Sequence, residues 1–266
     1  GNEVLNGAIA LILITCVVSS IVTERASRRM ALHEMEAAEP ETSDGERVLI
    51  SVSNPNTLFE LVSLAVLIRD SKNTDNVIAV NVVSDSDNRN VARSARQGKR
   101  FLEMAAQAAS GSGMTLKTVS RYSADVATGV IHTAKEQEAT TIILGIHRKL
   151  TAADSHSGPY SEAFLSRLHR EVVMIKMLMP FNTLRRIVVA VPPKAQFEPG
   201  FSKWMNQVLK VGRTLGCQIH FHCSHETAMF VRLIVDRQGY SDKVRIEQMD
   251  SWDEFMMLSA SVNYDH

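Results

Sequence analysis

Cysteine is scarce in this sequence, and charge of neither sign is in excess. Cys16, Cys217 and Cys223 are the only cysteines among 266 residues. Three are too few for a disulfide framework, which favours a reducing compartment. Lysine plus arginine and aspartate plus glutamate each number 29, so the formal net charge is zero. A chain without a broad basic face is a poor binder of nucleic acid, and we expect no nucleic-acid partner.

Common catalytic and phosphate motifs are also missing. The chain has no Gly-x-Ser-x-Gly, no His-Glu-x-x-His and no cysteine–histidine pairing with a recognisable local signature. It has neither of the two common phosphate motifs, Gly-x-x-x-x-Gly-Lys and Gly-x-Gly-x-x-Gly. We therefore predict a protein that is not an enzyme, with no catalytic residues.

A long uncharged run is present near the N-terminus. Residues 8–22 carry no charge, and Arg25, Arg28 and Arg29 follow them. Signal peptides carry their positive charges before the apolar run, so this segment differs from one. Extended back to Val4, the run approaches the roughly 20 residues that span a bilayer, and the arginines would mark the cytoplasmic side. The alternative is a buried or dimer-forming helix of a soluble protein.

Strand-like and helix-like segments alternate through the rest of the chain. This order predicts an α/β fold with a parallel sheet that is covered on both faces. The predicted strands are residues 47–52, 77–83, 114–121, 140–144 and 171–177, and the predicted helices are 56–69, 90–109, 124–138 and 161–169.

The same order of elements starts again at residue 185. Predicted strands at 185–193, 218–223 and 244–249 alternate with predicted helices at 200–215, 226–238 and 252–262. A fourth strand is expected where the sequence stops, so we expect the second domain to be incomplete and the sequence to end early. The predicted parts are the end of a membrane helix (1–30), an acidic linker (31–46), a first α/β domain (47–180) and a second (181–266).

One stretch combines the features of a phosphate site. An apolar β-branched run reaches Gly145, three basic or imidazole side chains follow, and Gly158 precedes a helix-like segment. Glycine lets the backbone approach an anion, helix N–H groups point at it, and Arg148 and Lys149 supply opposing charge. Ligands of open parallel sheets bind beyond the carboxyl ends of the strands. The predicted nucleoside side consists of Val52, Ser53, Val82 and Val83, and the predicted phosphate side of Gly145, His147, Arg148, Lys149, Gly158 and Ser161.

With this order of elements, residues 47–178 resemble the universal stress protein family, and residues 185–266 resemble the first part of a second copy. The nucleotide motif of that family is Gly-x2-Gly-x9-Gly followed by Ser or Thr, after the fourth strand. Gly145 and Gly158 occupy its first and third glycine positions. The resemblance implies two domains of the universal stress protein type and a bound ATP or other adenine nucleotide.

The chain departs from the family pattern at three positions. Arg148 replaces the second glycine, and Pro159 replaces the serine or threonine. The family ends its first strand with an aspartate that holds the adenosine, where this chain has Ser53. These departures count against ordinary ATP binding. The alternative is an inherited loop that binds no ligand.

Residues 6–25 resemble the last membrane helix of bacterial cation/proton antiporters of the monovalent cation:proton antiporter-2 type. Some of these antiporters carry universal-stress-like domains after that helix. The resemblance implies a cytosolic regulatory region of a Na+ or K+/H+ antiporter at the cytoplasmic face of the bacterial inner membrane. Its implied partners are the membrane domain of the same antiporter and a second copy in a homodimer. The alternative is a free-standing soluble tandem stress protein that binds a nucleotide.

Histidines cluster around Cys223, at positions 220, 222 and 225. The period of two in a strand places His220 and His222 on one face and Cys223 on the other, so the four side chains cannot converge without a bend. We therefore predict no metal site here, and expect histidines that are buried or at loop ends and satisfied by hydrogen bonds.

Overall fold

The computed structural model describes residues 2–37, 46–69, 75–84, 91–146, 165, 167–168, 170–176, 179–249 and 251. Their helices are α1 (Asn2–Ala37), α2 (Pro55–Ile68), α3 (Val91–Ser110), α4 (Val126–Glu136), α5 (Phe201–Leu215) and α6 (His225–Arg237). Their strands are β1 (Val48–Ser51), β2 (Val77–Ser84), β3 (Leu116–Ser123), β4 (Thr141–Gly145), β5 (Glu171–Ile175), β6 (Arg186–Ala190), β7 (Gln218–Cys223) and β8 (Val244–Gln248).

The first sheet contains five parallel strands in the order β3-β2-β1-β4-β5. The chain builds outward from β1 to β3 on one side and then places β4 on the other side of β1. The point where the strand order reverses therefore lies between β1 and β4. Clefts at such points, beyond the carboxyl ends of the strands, are the usual ligand sites of open α/β sheets.

Helices cover both faces of this sheet, as the continuous apolar strands predict. Val48 and Ile50 of β1 face one way and belong to the core formed with α2 and α3. Leu49 faces the other way and belongs to a separate core with Val130 and Ile131 of α4. All four residues of β1 are buried. The two-faced burial explains why β1 is apolar at consecutive positions rather than at alternate ones.

One polar side chain lies inside the first of these cores. Asn81 of β2 is buried, and its Nδ2 donates a 2.7 Å hydrogen bond to the carbonyl of Val52. A Cβ added to Gly98 of α3 would lie 1.9 Å from Asn81 Oδ1. The absence of a side chain at Gly98 therefore lets α3 pack directly over the Asn81 amide.

The second sheet contains three parallel strands within the described residues, in the order β6-β7-β8. With α5 and α6 it repeats the arrangement of β1, β2 and β3 with α2 and α3, as the sequence predicts. Its core is built around Phe201, Phe221 and Phe230. The predicted helix at 252–262 lies outside the described residues.

The two halves contact each other through α5, which packs against α2. Val211 of α5 and Phe181, which follows β5, pack against the apolar core of the first half. The opposite side of α5 carries Met205 and Leu209, which are buried in the core of the second half. A single helix therefore contributes to both hydrophobic cores.

The helix α1 is longer than the sequence analysis predicts. Its 36 residues end at Ala37, so residues 31–37 of the predicted linker are helical. Methionine, alanine, leucine and glutamate dominate this stretch, and all four have high helix propensity, so helix continues although the apolar pattern has ended. The rest of the predicted linker, at 38–45, lies outside the described residues.

We predict that Gly98→Ala destabilises the protein by about 1–3 kcal/mol, because the new methyl group overpacks the core. The Asn81 side chain must move away, which breaks its buried hydrogen bond to Val52. Urea unfolding of the first half measures the change. Gly111→Ala is the control, since a Cβ there would have its nearest neighbour at 3.4 Å. Equal stability of Gly98→Ala and wild type would contradict the packing described here.

Candidate functional site

The carboxyl end of β1 leads directly into the N-terminus of α2. The amide of Val52 donates to the carbonyl of Val80, so β1 stays paired with β2 for one residue past Ser51. The Asn54 side chain then caps the helix by accepting a 2.9 Å hydrogen bond from the amide of Asn56. Asparagine followed by proline is a strong signal for a helix start. The positive end of the α2 dipole therefore lies at the reversal point of the sheet.

Gly145 ends β4 beside this helix start. A Cβ added there would lie 3.0 Å from Thr57 Oγ1 and 3.2 Å from Thr57 Cβ, and Thr57 belongs to the first turn of α2. The amide of the next residue, Ile146, donates to the carbonyl of Ile175 at the end of β5. Close packing of β4 against α2 therefore accounts for the glycine, whether or not a ligand binds.

The four residues predicted to line a nucleoside do not share one surface. The Val52 and Val83 side chains are buried, and only Ser53 is exposed. The Val82 side chain points to the opposite face of the sheet, where a Cβ on Gly129 of α4 would approach its Cγ1 to 2.5 Å. Successive strand residues point to opposite faces, which the prediction of Val82 and Val83 as neighbours in one pocket overlooked.

Most of the predicted phosphate side follows Gly145 in the sequence. His147, Arg148, Lys149, Gly158 and Ser161 lie outside the described residues. Gly145 and Ile146 bring the chain to the carboxyl edge of the sheet, within reach of the N-terminus of α2. The phosphate site stays a prediction, and Gly145 is the one of its residues that the structure describes.

Sequence reasoning missed three polar residues at this edge. Asn54 and Thr57 lie at the start of α2, and Asn81 supports the end of β1 by its bond to the carbonyl of Val52. The dipeptide Asn54-Pro55 is a readable capping signal. Asn81 is visible only as an amide in an otherwise apolar strand, and its partner depends on the pairing of β1 with β2.

The histidine cluster of the second half has the disposition that strand periodicity predicts. His220 is buried, and burial, together with Arg186, lowers its pKa. His222 Nδ1 lies 3.6 Å from Glu247 Oε2, and Cys223 points into the core, where burial raises its pKa to about 11. Within the described residues, His220 Nε2 has no hydrogen-bond partner. The expectation that hydrogen bonds satisfy these histidines is therefore wrong at this atom.

Similarity to proteins of known structure is confined to the fold. No protein-family model matches the chain, and neither does any curated protein. A universal stress protein from Archaeoglobus fulgidus DSM 4304 superposes with a TM-score of 0.55 at 15% identity, over 80% of this chain and 80% of that chain. The fold is universal stress protein-like. A putative universal stress protein from Pseudomonas aeruginosa UCBPP-PA14 gives 0.54 at 13% identity, over 82% and 79%.

A transporter domain shares the same architecture. The cytoplasmic domain of a prokaryotic cation chloride cotransporter superposes with a TM-score of 0.52 at 8% identity, over 77% of this chain and 79% of that chain. At such low identity the likeness establishes the arrangement of strands and helices and nothing about chemistry. The prediction of an α/β chain with parallel sheets of this type is confirmed.

Proposed function

We propose that this chain is the cytosolic regulatory region of a membrane protein that exchanges Na+ or K+ for H+, attached to the bilayer through α1. The observation that carries the proposal is a span of α1, from Leu5 to Thr23, that carries no charge, is strongly apolar on average and has no buried residue in the described part of the chain. The soluble part performs no chemistry of its own in this proposal and acts by changing how the membrane part behaves.

The apolar span of α1 matches a bilayer in length. Its 19 residues rise about 28 Å as a helix, against a hydrocarbon core roughly 30 Å thick. Leu11, Ile12 and Leu13 are each more than 60% exposed, although the halves downstream bury similar side chains almost completely. Exposed apolar surface costs about 25 cal/mol per Å² in water, so a span of this kind needs a bilayer or another apolar partner.

The positive charges that flank the span of α1 give its orientation in the membrane. Arg25 and Arg29 are exposed directly after the apolar span, and positive charge flanking a span marks the cytoplasmic side. The two α/β halves, which follow α1, would then lie in the cytoplasm. The helix continues about 21 Å beyond Thr23 to Ala37.

The transport activity is inferred from sequence resemblance. Residues 6–25 resemble the last helix of cation/proton antiporters, and a universal-stress-like fold occurs in the cytoplasmic domain of another cation transporter. The ion-translocating acidic residues of such antiporters lie in membrane helices other than this one, so no residue of this chain is assigned to ion transport.

A nucleotide is the regulatory ligand that the first half is best suited to bind. The N-terminus of α2, the exposed Ser53 and the close approach at Gly145 meet at the reversal point of the sheet, and basic residues follow Gly145 in the sequence. Backbone N–H groups and a helix dipole favour a phosphate at such a point. The ligand would regulate transport by binding two conformations of the transporter with different affinity.

We predict that the full chain partitions into the membrane fraction after expression, whereas a chain that starts at Glu46 is soluble. The reason is that removing α1 removes the exposed apolar span. Sedimentation after carbonate extraction measures the partition. Leu13→Arg is a second variant, expected to weaken retention because a charged residue near the centre of a span costs about 3 kcal/mol.

A full chain found in the supernatant would contradict membrane attachment. In that case, a dimer that depends on α1 in analytical ultracentrifugation would identify the helix as a dimerisation element. The control is Tyr122→Arg, an exposed position on β3 far from α1 in sequence, which is expected to leave the distribution unchanged.

We predict that ATP, AMP or a cyclic dinucleotide binds the detergent-solubilised chain, and that Gly158→Val abolishes the binding by blocking close approach of the loop to phosphate. Isothermal titration calorimetry measures the affinity. Gly111→Val is the control, because it lies on a surface turn after α3. Absence of heat with all three ligands would reject the nucleotide and leave membrane attachment unaffected.

A further inference from the structure

Polar side chains from both halves meet at the amino ends of β1, β4 and β5. Gln207 Nε2 of α5 donates to Glu171 Oε2 at 2.9 Å and lies 3.3 Å from Glu46 Oε1. Thr141 Oγ1 donates to the same Glu171 oxygen at 2.9 Å, and Lys203 Nζ lies 3.3 Å from it. Two carboxyl groups of the first half therefore share one amide nitrogen of the second half.

A third side chain of α5 extends this contact to α2. Lys210 Nζ donates to the carbonyls of Ile68 and Arg69 at 2.8 and 2.7 Å, where α2 ends. Lys203, Gln207 and Lys210 are spaced by four and three residues, which places them on one side of α5. Through this polar stripe, α5 binds the first half while its apolar side fills the second core.

The two carboxyl groups of the cluster are not equally stabilised. Glu171 Oε2 accepts hydrogen bonds from Thr141 and Gln207 and pairs with the Lys203 ammonium group. Glu46 Oε1 has only the longer contact with the Gln207 amide among these groups. The second oxygen of Glu171, Oε1, is buried and has no hydrogen-bond partner within the described residues. A buried carboxylate oxygen without a donor is costly, and a second negative charge in the same cluster adds to that cost.

We propose that Glu46 is a proton-binding site that tightens the contact between the two halves when it takes up a proton. Protonation of Glu46 removes one of the two negative charges that surround the Gln207 amide. The site does not depend on membrane attachment or on a nucleotide. It responds to the proton concentration of the solution around the two halves.

The electrostatics of the site support this direction. Burial raises the pKa of Glu46 above its ordinary value, and the Glu171 carboxylate raises it further. Lys210 and Lys203 of α5 act in the opposite direction, as does the Gln207 hydrogen bond, but burial outweighs them. Together these are the charged and hydrogen-bonding groups that act on the Glu46 carboxyl group from α5 and β5.

The pH dependence follows from linkage. When the two halves separate, water reaches Glu46 and its pKa returns to the ordinary value, so the closed contact binds the proton more tightly than the open one. The additional stability of the closed contact is fully present below the pKa of the open state. It is lost as the pH rises through the higher pKa of the closed state. Acidification therefore closes the contact and alkalinisation loosens it.

Hydrogen exchange of the full chain in detergent, followed by mass spectrometry between about pH 5 and pH 8, tests the proposal. After correction for intrinsic exchange rates, we expect protection in the segments 62–69 and 203–211 to fall several-fold as the pH rises. In Glu46→Gln, which carries a permanently neutral amide at this position, we expect the fall to disappear.

Glu138→Gln is the matched control, because Glu138 pairs with Arg47 in the same half and is exposed. It should keep the pH dependence of the wild type. A purely structural role of Glu46 would shift protection in Glu46→Gln by the same factor at every pH. That outcome, or a wild type without pH dependence in these two segments, would overturn the proposal.

Discussion

The two α/β halves bury large apolar cores, whereas no residue of the α1 span from Leu5 to Thr23 is buried, and this contrast governs the whole account. Leu49 and Ile50 of β1 are fully buried, one on each face of the first sheet, and Phe221 is fully buried in the second. Within the described residues, none of the 19-residue span of α1 is buried. Two closed cores are thus preceded by an uncharged helix whose apolar side chains lie exposed within the described part of the chain. A bilayer or another apolar surface would cover them. Membrane attachment is the reading that also accounts for the arginines after the span.

The helix α2 connects the two polar regions of the first half. Its N-terminus, capped by Asn54, lies at the carboxyl edge of the sheet beside Gly145, where a phosphate would bind. Its C-terminus ends in the carbonyls that Lys210 of α5 binds, next to the shared contacts of Glu46 and Gln207. A ligand at one end and a proton at the other would therefore act on the same 14-residue helix. Any coupling between the two sites requires that α2 has two positions relative to α5, which both ligands would bias.

The fold was predictable to the extent that it depends on local pattern. The bounds of β7 match the predicted strand, because its apolar residues alternate with polar ones between clear turns. The helical continuation of α1 to Ala37 was missed, since strong helix formers need no apolar periodicity. The cluster at Glu46 was not predictable, because Gln207 is 161 residues away in sequence and the contact forms only when the two halves pack. Val82 and Val83 show the limit of reading a pocket from one strand, since adjacent residues face opposite cores.

The most direct test of the central claim is the location of the two ends of the apolar span. Single cysteines would be introduced as Asn2→Cys or Ala26→Cys in a Cys16→Ser background, where Cys217 and Cys223 are buried. A membrane-impermeant maleimide is then added to intact cells and to lysed cells. Membrane attachment in the proposed orientation predicts that Asn2→Cys reacts in intact cells and that Ala26→Cys reacts only after lysis. Reaction of both positions only after lysis, with the chain in the soluble fraction, would contradict it.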